Sequence, residues 1–140
     1  MKEFKASTTI NAPTTRIWEL LTDGPGYPSW NPTVKRVEGE IAPGKKVKVY
    51  PTINPDRAFP VKVTHFQVTR AMTWTGGMPL GLLKGVRTFD LERDPSGATR
   101  FTMHEVFSGP FLLLFGNSIP DMQPEFEKFV EALKAKAEAG

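Results

Sequence analysis

Two apolar periods alternate along this 140-residue chain, and the switches between them lay out its elements. Residues 3–10 end in Thr-Thr-Ile, a run that favours a pleated strand. After Pro13, apolar residues return at Ile17, Leu20 and Leu21, the spacing of one helical face, and Trp18 widens the stripe. Proline suits a first helical turn, where its missing N–H costs nothing, and Asn11 is the expected helix starter. Gly24-Pro25 ends the helix, and a second short aromatic turn carries Tyr27 and Trp30. A period of two then takes over. Residues 34–40 and 45–50 make two strands around Ala42-Pro43-Gly44, and Lys46-Val47-Lys48-Val49 alternates a wet face with a dry one. A proline-rich loop over 51–60 leads into a strand over 61–69, where the apolar set runs Val61, Val63, then Phe66, Val68. That change of parity predicts a β-bulge at Thr64 or His65, a device that curves a sheet. Strands over 72–76, 86–93 and 99–107 follow, the last two joined by the turn Asp94-Pro95-Ser96-Gly97.

The chain closes on Met122, Phe126, Phe129, Val130, Leu133 and Ala137, which form one broad helical stripe. Glu127, Lys128, Glu131 and Lys134 take the other side. An aromatic stripe of this width needs an apolar surface, and the concave side of a curved sheet supplies one. Pro124 is tolerated only in a first turn or at a kink, so a break is expected between Gly116 and Pro124, detaching residues 111–115 from the main helix. The fold class is therefore α+β: one domain over residues 1–140, in which a curved antiparallel sheet wraps a long C-terminal helix.

Strand parity supplies the candidate chemistry. Phe101, Met103, Glu105 and Phe107 share one face; Arg87, Phe89 and Leu91 share another. With Leu91 opposite Phe101, Phe89 meets Met103 and Arg87 meets Glu105, since alternate residues stay in register. An acid and a base then project into an apolar space. The expected wall is Trp74, Phe89, Met103, Phe107, Met122 and Phe126, with Arg87 and Glu105 as its polar groups, the composition of a small-molecule site. The competing reading is a structural ion pair at the sheet end. The segments 78–83 and 110–115, the latter containing Phe111, are apolar all round and punctuated by Gly and Pro. They read as loops forming the lips of that space, or else as the seam of a homodimer.

Composition removes other classes. The net charge of +3 is spread without a run of basic residues, which argues against nucleic acid as a partner. Zero cysteines exclude disulfides and thiolate catalysis and fit a cytoplasmic setting. Residues 1–9 contain no apolar signal core, and the longest apolar run, 111–115, is far short of the roughly 20 residues needed to span a bilayer. The two histidines, His65 and His104, lack metal-ligand spacing, so neither a metal nor a cofactor is expected. No GxSxG elbow is present, and Gly76-Gly77-Met78-Pro79-Leu80-Gly81 lacks the lysine of a phosphate loop.

The stretch APTTRIWELLTDGPGYPSWNP, with Val37-Glu38-Gly39-Glu40 and Ala42-Pro43-Gly44 behind it, resembles the opening of the START-related helix-grip superfamily, often labelled SRPBCC. Thr99-Arg100-Phe101-Thr102 and residues 131–138 are similar to its polyketide cyclase/dehydrase-like branch. The resemblance covers nearly the whole chain, and Pro120 and Pro124 depart from a C-terminal helix that is normally continuous in such proteins. It implies binding of a hydrophobic or amphipathic small molecule (lipid, quinone or polyketide-like) by a carrier or sensor. The alternative is a cyclase/dehydratase-type enzyme in which Arg87 and Glu105 polarise a carbonyl or move a proton. Scarce histidine and the lack of a second inward acid favour binding.

Overall fold

The computed structural model describes residues 2–115 and 119–139. Its strands are β1 (Lys2–Ile10), β2 (Val34–Glu38), β3 (Lys46–Pro51), β4 (Phe59–Gln67), β5 (Ala71–Gly77), β6 (Lys84–Arg93) and β7 (Thr99–Ser108). They form one curled antiparallel sheet in the order β1-β7-β6-β5-β4-β3-β2. Helices α1 (Thr14–Thr22) and α2 (Tyr27–Trp30) lie between β1 and β2, which occupy opposite edges, so these two helices carry the chain across the sheet. A one-turn helix α3 (Leu112–Phe115) follows β7, and α4 (Gln123–Ala139) packs against β1, β7 and both α1 and α2. No helix among the described residues is long and apolar enough to cross a membrane.

The bulge falls where the parity change requires it. The β4–β5 register shifts between Thr64 and Gln67, with His65 at φ 47°. The shift returns Phe66 to the inner face, where its ring meets Trp18 of α1 at 5.1 Å. Val68 does not share that face. Strand β4 stops at Gln67, Thr69 turns at φ 65°, and Val68 is left 65% exposed. The strand also starts earlier than expected, because Phe59 and Pro60 pair with Val49 and Lys48 of β3. Strand β2 is shorter than expected, ending at Glu38, since Gly39 at φ 105° turns the chain away. Asn11 does not start α1. Pro13 holds the capping position without a side-chain bond, and the Asn11 backbone N–H instead donates to Glu138 Oε2 at 2.8 Å.

From Phe126 onward the helix stripe is seated as its spacing requires: Phe126, Phe129, Val130, Leu133 and Ala137 are buried, while Lys128 and Glu131 are exposed; Met122, expected to begin the stripe, is half-buried and precedes α4. Lys134 departs from a purely wet role, donating to Thr9 O and Glu138 Oε2, both at 2.8 Å. Since α4 begins at Gln123, Pro124 sits in its first turn, where it removes no helical hydrogen bond. The break ahead of it separates α3 from α4, with residues 116–118 outside the described range. Residues 112–115 are thus a helical turn rather than an open loop, and Pro79–Gly81 is a 3-10 turn.

Phe129 is the hub of the core. Its ring lies 5.6 Å from Trp30, 6.0 Å from Phe89, 6.3 Å from Tyr27 and 6.5 Å from Phe101. Phe129→Ala is expected to cost about 3–5 kcal/mol in chemical denaturation, the range for a packed aromatic. A loss under about 1 kcal/mol would show that the ring faces empty space.

Candidate functional site

Cross-strand pairing aims the polar pair inward. Leu91 lies opposite Phe101, Phe89 opposite Met103, Arg87 opposite Glu105 and Gly85 opposite Phe107. Opposed residues project to the same face, so the dry interior of the sheet runs along β6 and β7 into one acid and one base. Arg87 Nε donates to Glu105 Oε1 at 2.7 Å, with the two side chains 21% and 13% exposed. The guanidinium also lies 4.8 Å from the centroid of Phe126 on α4, a cation–π distance. Gly85 makes this arrangement fit: a Cβ there would stand 3.1 Å from both Glu105 Oε2 and the Phe107 ring. Among the described residues the two terminal nitrogens of Arg87 have no hydrogen-bond partner.

The nine residues expected at the site divide into a buried set, a half-buried set and Phe111, which stands apart. Trp74, Phe89, Met103 and Phe126 are buried in the one hydrophobic core, with Trp74 and Phe89 at 4.7 Å edge to face. Arg87, Glu105, Phe107 and Met122 are half-buried at the end of that core, where Phe4 joins Phe107 at 6.2 Å and Phe126 at 5.9 Å. Phe111, also half-buried, sits past β7 on a segment whose backbone is tied to the β5–β6 loop by Phe111 N–H to Leu82 O at 2.9 Å. A surface groove of about 270 Å³ lies between residues 22–25 and 39–41. Another, of about 420 Å³, lies beside the β5–β6 loop, at the adjoining ends of β3, β4 and β5. None of the nine lines either groove.

Sequence reasoning missed the polar content of α2. Tyr27 is wholly buried, its hydroxyl donating to Leu21 O at 2.7 Å. Asn31 is 2% exposed, and its Oδ1 accepts from the Thr33 amide at 2.9 Å and hydroxyl at 2.7 Å. Trp30 Nε1, Asn31 Nδ2 and Trp74 Nε1 are buried donors with no acceptor among the described residues. Buried N–H groups normally find a partner, and the Trp30 and Trp74 rings that carry two of these three both lie against Tyr27, at 5.1 and 6.2 Å. The signal in the sequence is the asparagine that closes the aromatic run Tyr27-Pro28-Ser29-Trp30-Asn31. Burial drives the Tyr27 phenol far above its ordinary range, with Arg87 opposing the shift and Asp23 adding to it.

The histidines lie apart from this core. His65 is exposed in the bulge beside Thr64, and His104, on the opposite face of β7 from Met103 and Glu105, pairs with Glu3 at 3.3 Å. Among the described residues no three His, Asp or Glu side chains gather as a metal site.

Comparison with known proteins places this architecture. Residues 1–138 match the family model for polyketide cyclase/dehydrase and lipid transport proteins, and the chain belongs to that family. No curated protein matches it by sequence. Among solved structures, a hypothetical protein of Helicobacter pylori superposes with a TM-score of 0.79 at 12% identity, over 97% of this chain and 88% of that one. The Zhui aromatase/cyclase of Streptomyces sp. R1128 gives 0.73 at 17%, over 98% and 93%. A START superfamily protein of Mycobacterium smegmatis gives 0.71 at 15%, over 98% and 97%. Identities this low establish a shared fold.

Tyr27 generates a pH test. Its folded-state pKa is raised, so its contribution is complete below the unfolded tyrosine value near 10. Above that pH only the unfolded chain releases the proton, and stability falls as pH rises further. Tyr27→Phe should flatten the alkaline fall measured by denaturant titration at stepped pH, at a cost near neutrality of about 1 kcal/mol for the lost bond. An unchanged alkaline slope would place the loss elsewhere.

Proposed function

We propose that this protein binds a hydrophobic or amphipathic small molecule (a lipid, quinone or polyketide-like compound) on the concave face of its sheet, as a carrier or sensor in the cytoplasm. The observation that carries the reading is Arg87: a guanidinium held by Glu105 and covered by Phe126, with its terminal donors unused at the edge of an aromatic core. Arg87 and Glu105 anchor the polar group of the ligand, and Phe107, Phe111 and Met122 line its approach. Trp74, Phe89, Met103 and Phe126 form the apolar wall, against which a ring or chain inserts by displacing side-chain contacts. The orphan N–H groups of Trp30, Asn31 and Trp74 support a ligand bearing acceptor oxygens. The family's description, cyclase/dehydrase and lipid transport, is consistent with such a ligand.

The second reading is a cyclase/dehydratase-type enzyme, favoured by the adjacency of Arg87 and Glu105 and by the likeness to an aromatase/cyclase. Arg87 would draw electron density from a substrate carbonyl while Glu105 moved a proton beside it.

Binding is tested with naphthoate and naphthalene as matched probes titrated by calorimetry. Arg87→Ala should weaken naphthoate by about 1.5–3 kcal/mol, the range for a hydrogen bond to a charged group, and leave naphthalene nearly unchanged. Equal losses for both probes, or none for either, would remove Arg87 from the site.

A further inference from the structure

Two apolar loops meet beyond the sheet end that carries Arg87. The β5–β6 loop turns at Gly77 (φ 132°), Leu80 (φ 62°) and Gly81 (φ 67°), and Met78 N–H to Leu83 O at 2.7 Å closes it. The segment after β7 is tied to it by the Phe111–Leu82 bond. Gly109, at φ 113°, approaches so closely that a Cβ would fall 2.6 Å from Leu82 O and 2.7 Å from Gly81 O. The two loops therefore form one platform. On it Leu80 and Leu113 are each 95% exposed, Leu114 72% and Met78 40%. Leu80 is a branched residue in the left-handed region, a conformation that costs free energy and gathers at functional places.

The rim of the platform is basic. The groove of about 420 Å³ that contains Met78 and Gly81 is also lined by Lys46, Lys62 and Lys84. Lys46 and Lys62 are paired directly across β3 and β4, a repulsive placement for like charges. No ion pair engages any of the three among the described residues. The sequence contains no Asp or Glu between Asp56 and Asp90, nor between Glu105 and Asp121, so neither loop brings a counter-charge of its own. An isologous dimer through this face would set lysines against lysines. Exposed aliphatic tips with a cationic rim are complementary to an anionic lipid surface, where tips enter the acyl boundary and lysines meet phosphates.

We propose that this platform docks the protein on anionic bilayers, with Leu80, Leu113 and Leu114 inserted and Lys46, Lys62 and Lys84 at the headgroups. Arg87 lies three residues along β6 from Lys84, roughly 10 Å at strand rise, so docking brings the edge of the concave site to the lipid. The inference rests on the exposed platform and stands independently of what the concave face binds.

Flotation with vesicles tests it. Wild type should associate with equal-part phosphatidylglycerol/phosphatidylcholine vesicles, bind phosphatidylcholine alone far more weakly, and lose association in high salt. The Lys46→Gln/Lys62→Gln/Lys84→Gln variant should lose roughly fivefold per lysine, on the order of a hundredfold in total. Leu80→Asp/Leu113→Asp alters two side chains already in water and should melt like wild type, yet lose about tenfold or more. Lys136→Gln, near the opposite end of the sheet, should change little. No association of wild type with anionic vesicles, or variants that float like wild type, would overturn the proposal. So would a wild-type dimer in sedimentation equilibrium that Leu80→Asp/Leu113→Asp dissociates without any vesicle binding, which would make the face a subunit seam.

Discussion

Everything in this molecule depends on burying the aromatic stripe of α4 against the inner face of the sheet. Phe129 touches rings contributed by α2, β6 and β7, so the helix cannot leave without exposing the centre of the core. A flat sheet could not surround such a stripe. The register shift in β4 supplies local bending, and it brings Phe66 onto Trp18. The short helices α1 and α2 then bridge the two sheet edges and close the core from the remaining side. Local irregularity at His65 and global wrapping are thus parts of one solution.

The two ends of that core are finished differently. At one end α4 is stitched to β1 by Lys134 on Thr9, and to the residue just past that strand by Glu138 on the Asn11 amide. At the other, β6 and β7 leave the ring-packed interior through Arg87, Glu105 and Gly85 and run into exposed apolar loops. Glycine at 85 keeps the floor low enough for the carboxylate and the Phe107 ring to lie over it. The guanidinium is therefore held on one edge and one face while its other donors stay accessible. Donors left open at the edge of an apolar core are the kind of group that the proposed ligand would engage.

Membership of the family does not choose between carriage and catalysis, because one fold hosts sites of many kinds. The structural relatives at 12–17% identity share the frame with this chain, and the chemistry must be read from its own side chains. Among the described residues the concave side offers the Arg87–Glu105 ion pair and the orphan N–H donors of Trp30, Asn31 and Trp74.

Periodicity determined the frame. The bulge in β4, the pairing of Arg87 with Glu105, the proline-enforced start of α4 and its buried stripe all follow from local rules. Side chains alternate across a strand, helical faces repeat every three or four residues, and proline cannot sit in a helix interior. Strand ends were less legible: Val68 and Phe59 exchanged the places their hydrophobicity suggested, because a positive-φ turn and pairing to β3 decided where β4 began and stopped. Asn11 was the right residue type two positions too early to cap α1. Only the tertiary structure decided how the core was divided between sealed rings and a half-open polar edge. The orphan donors of Trp30, Asn31 and Trp74 could not be seen in sequence either, since whether a buried N–H finds an acceptor depends on groups folded against it from distant parts of the chain.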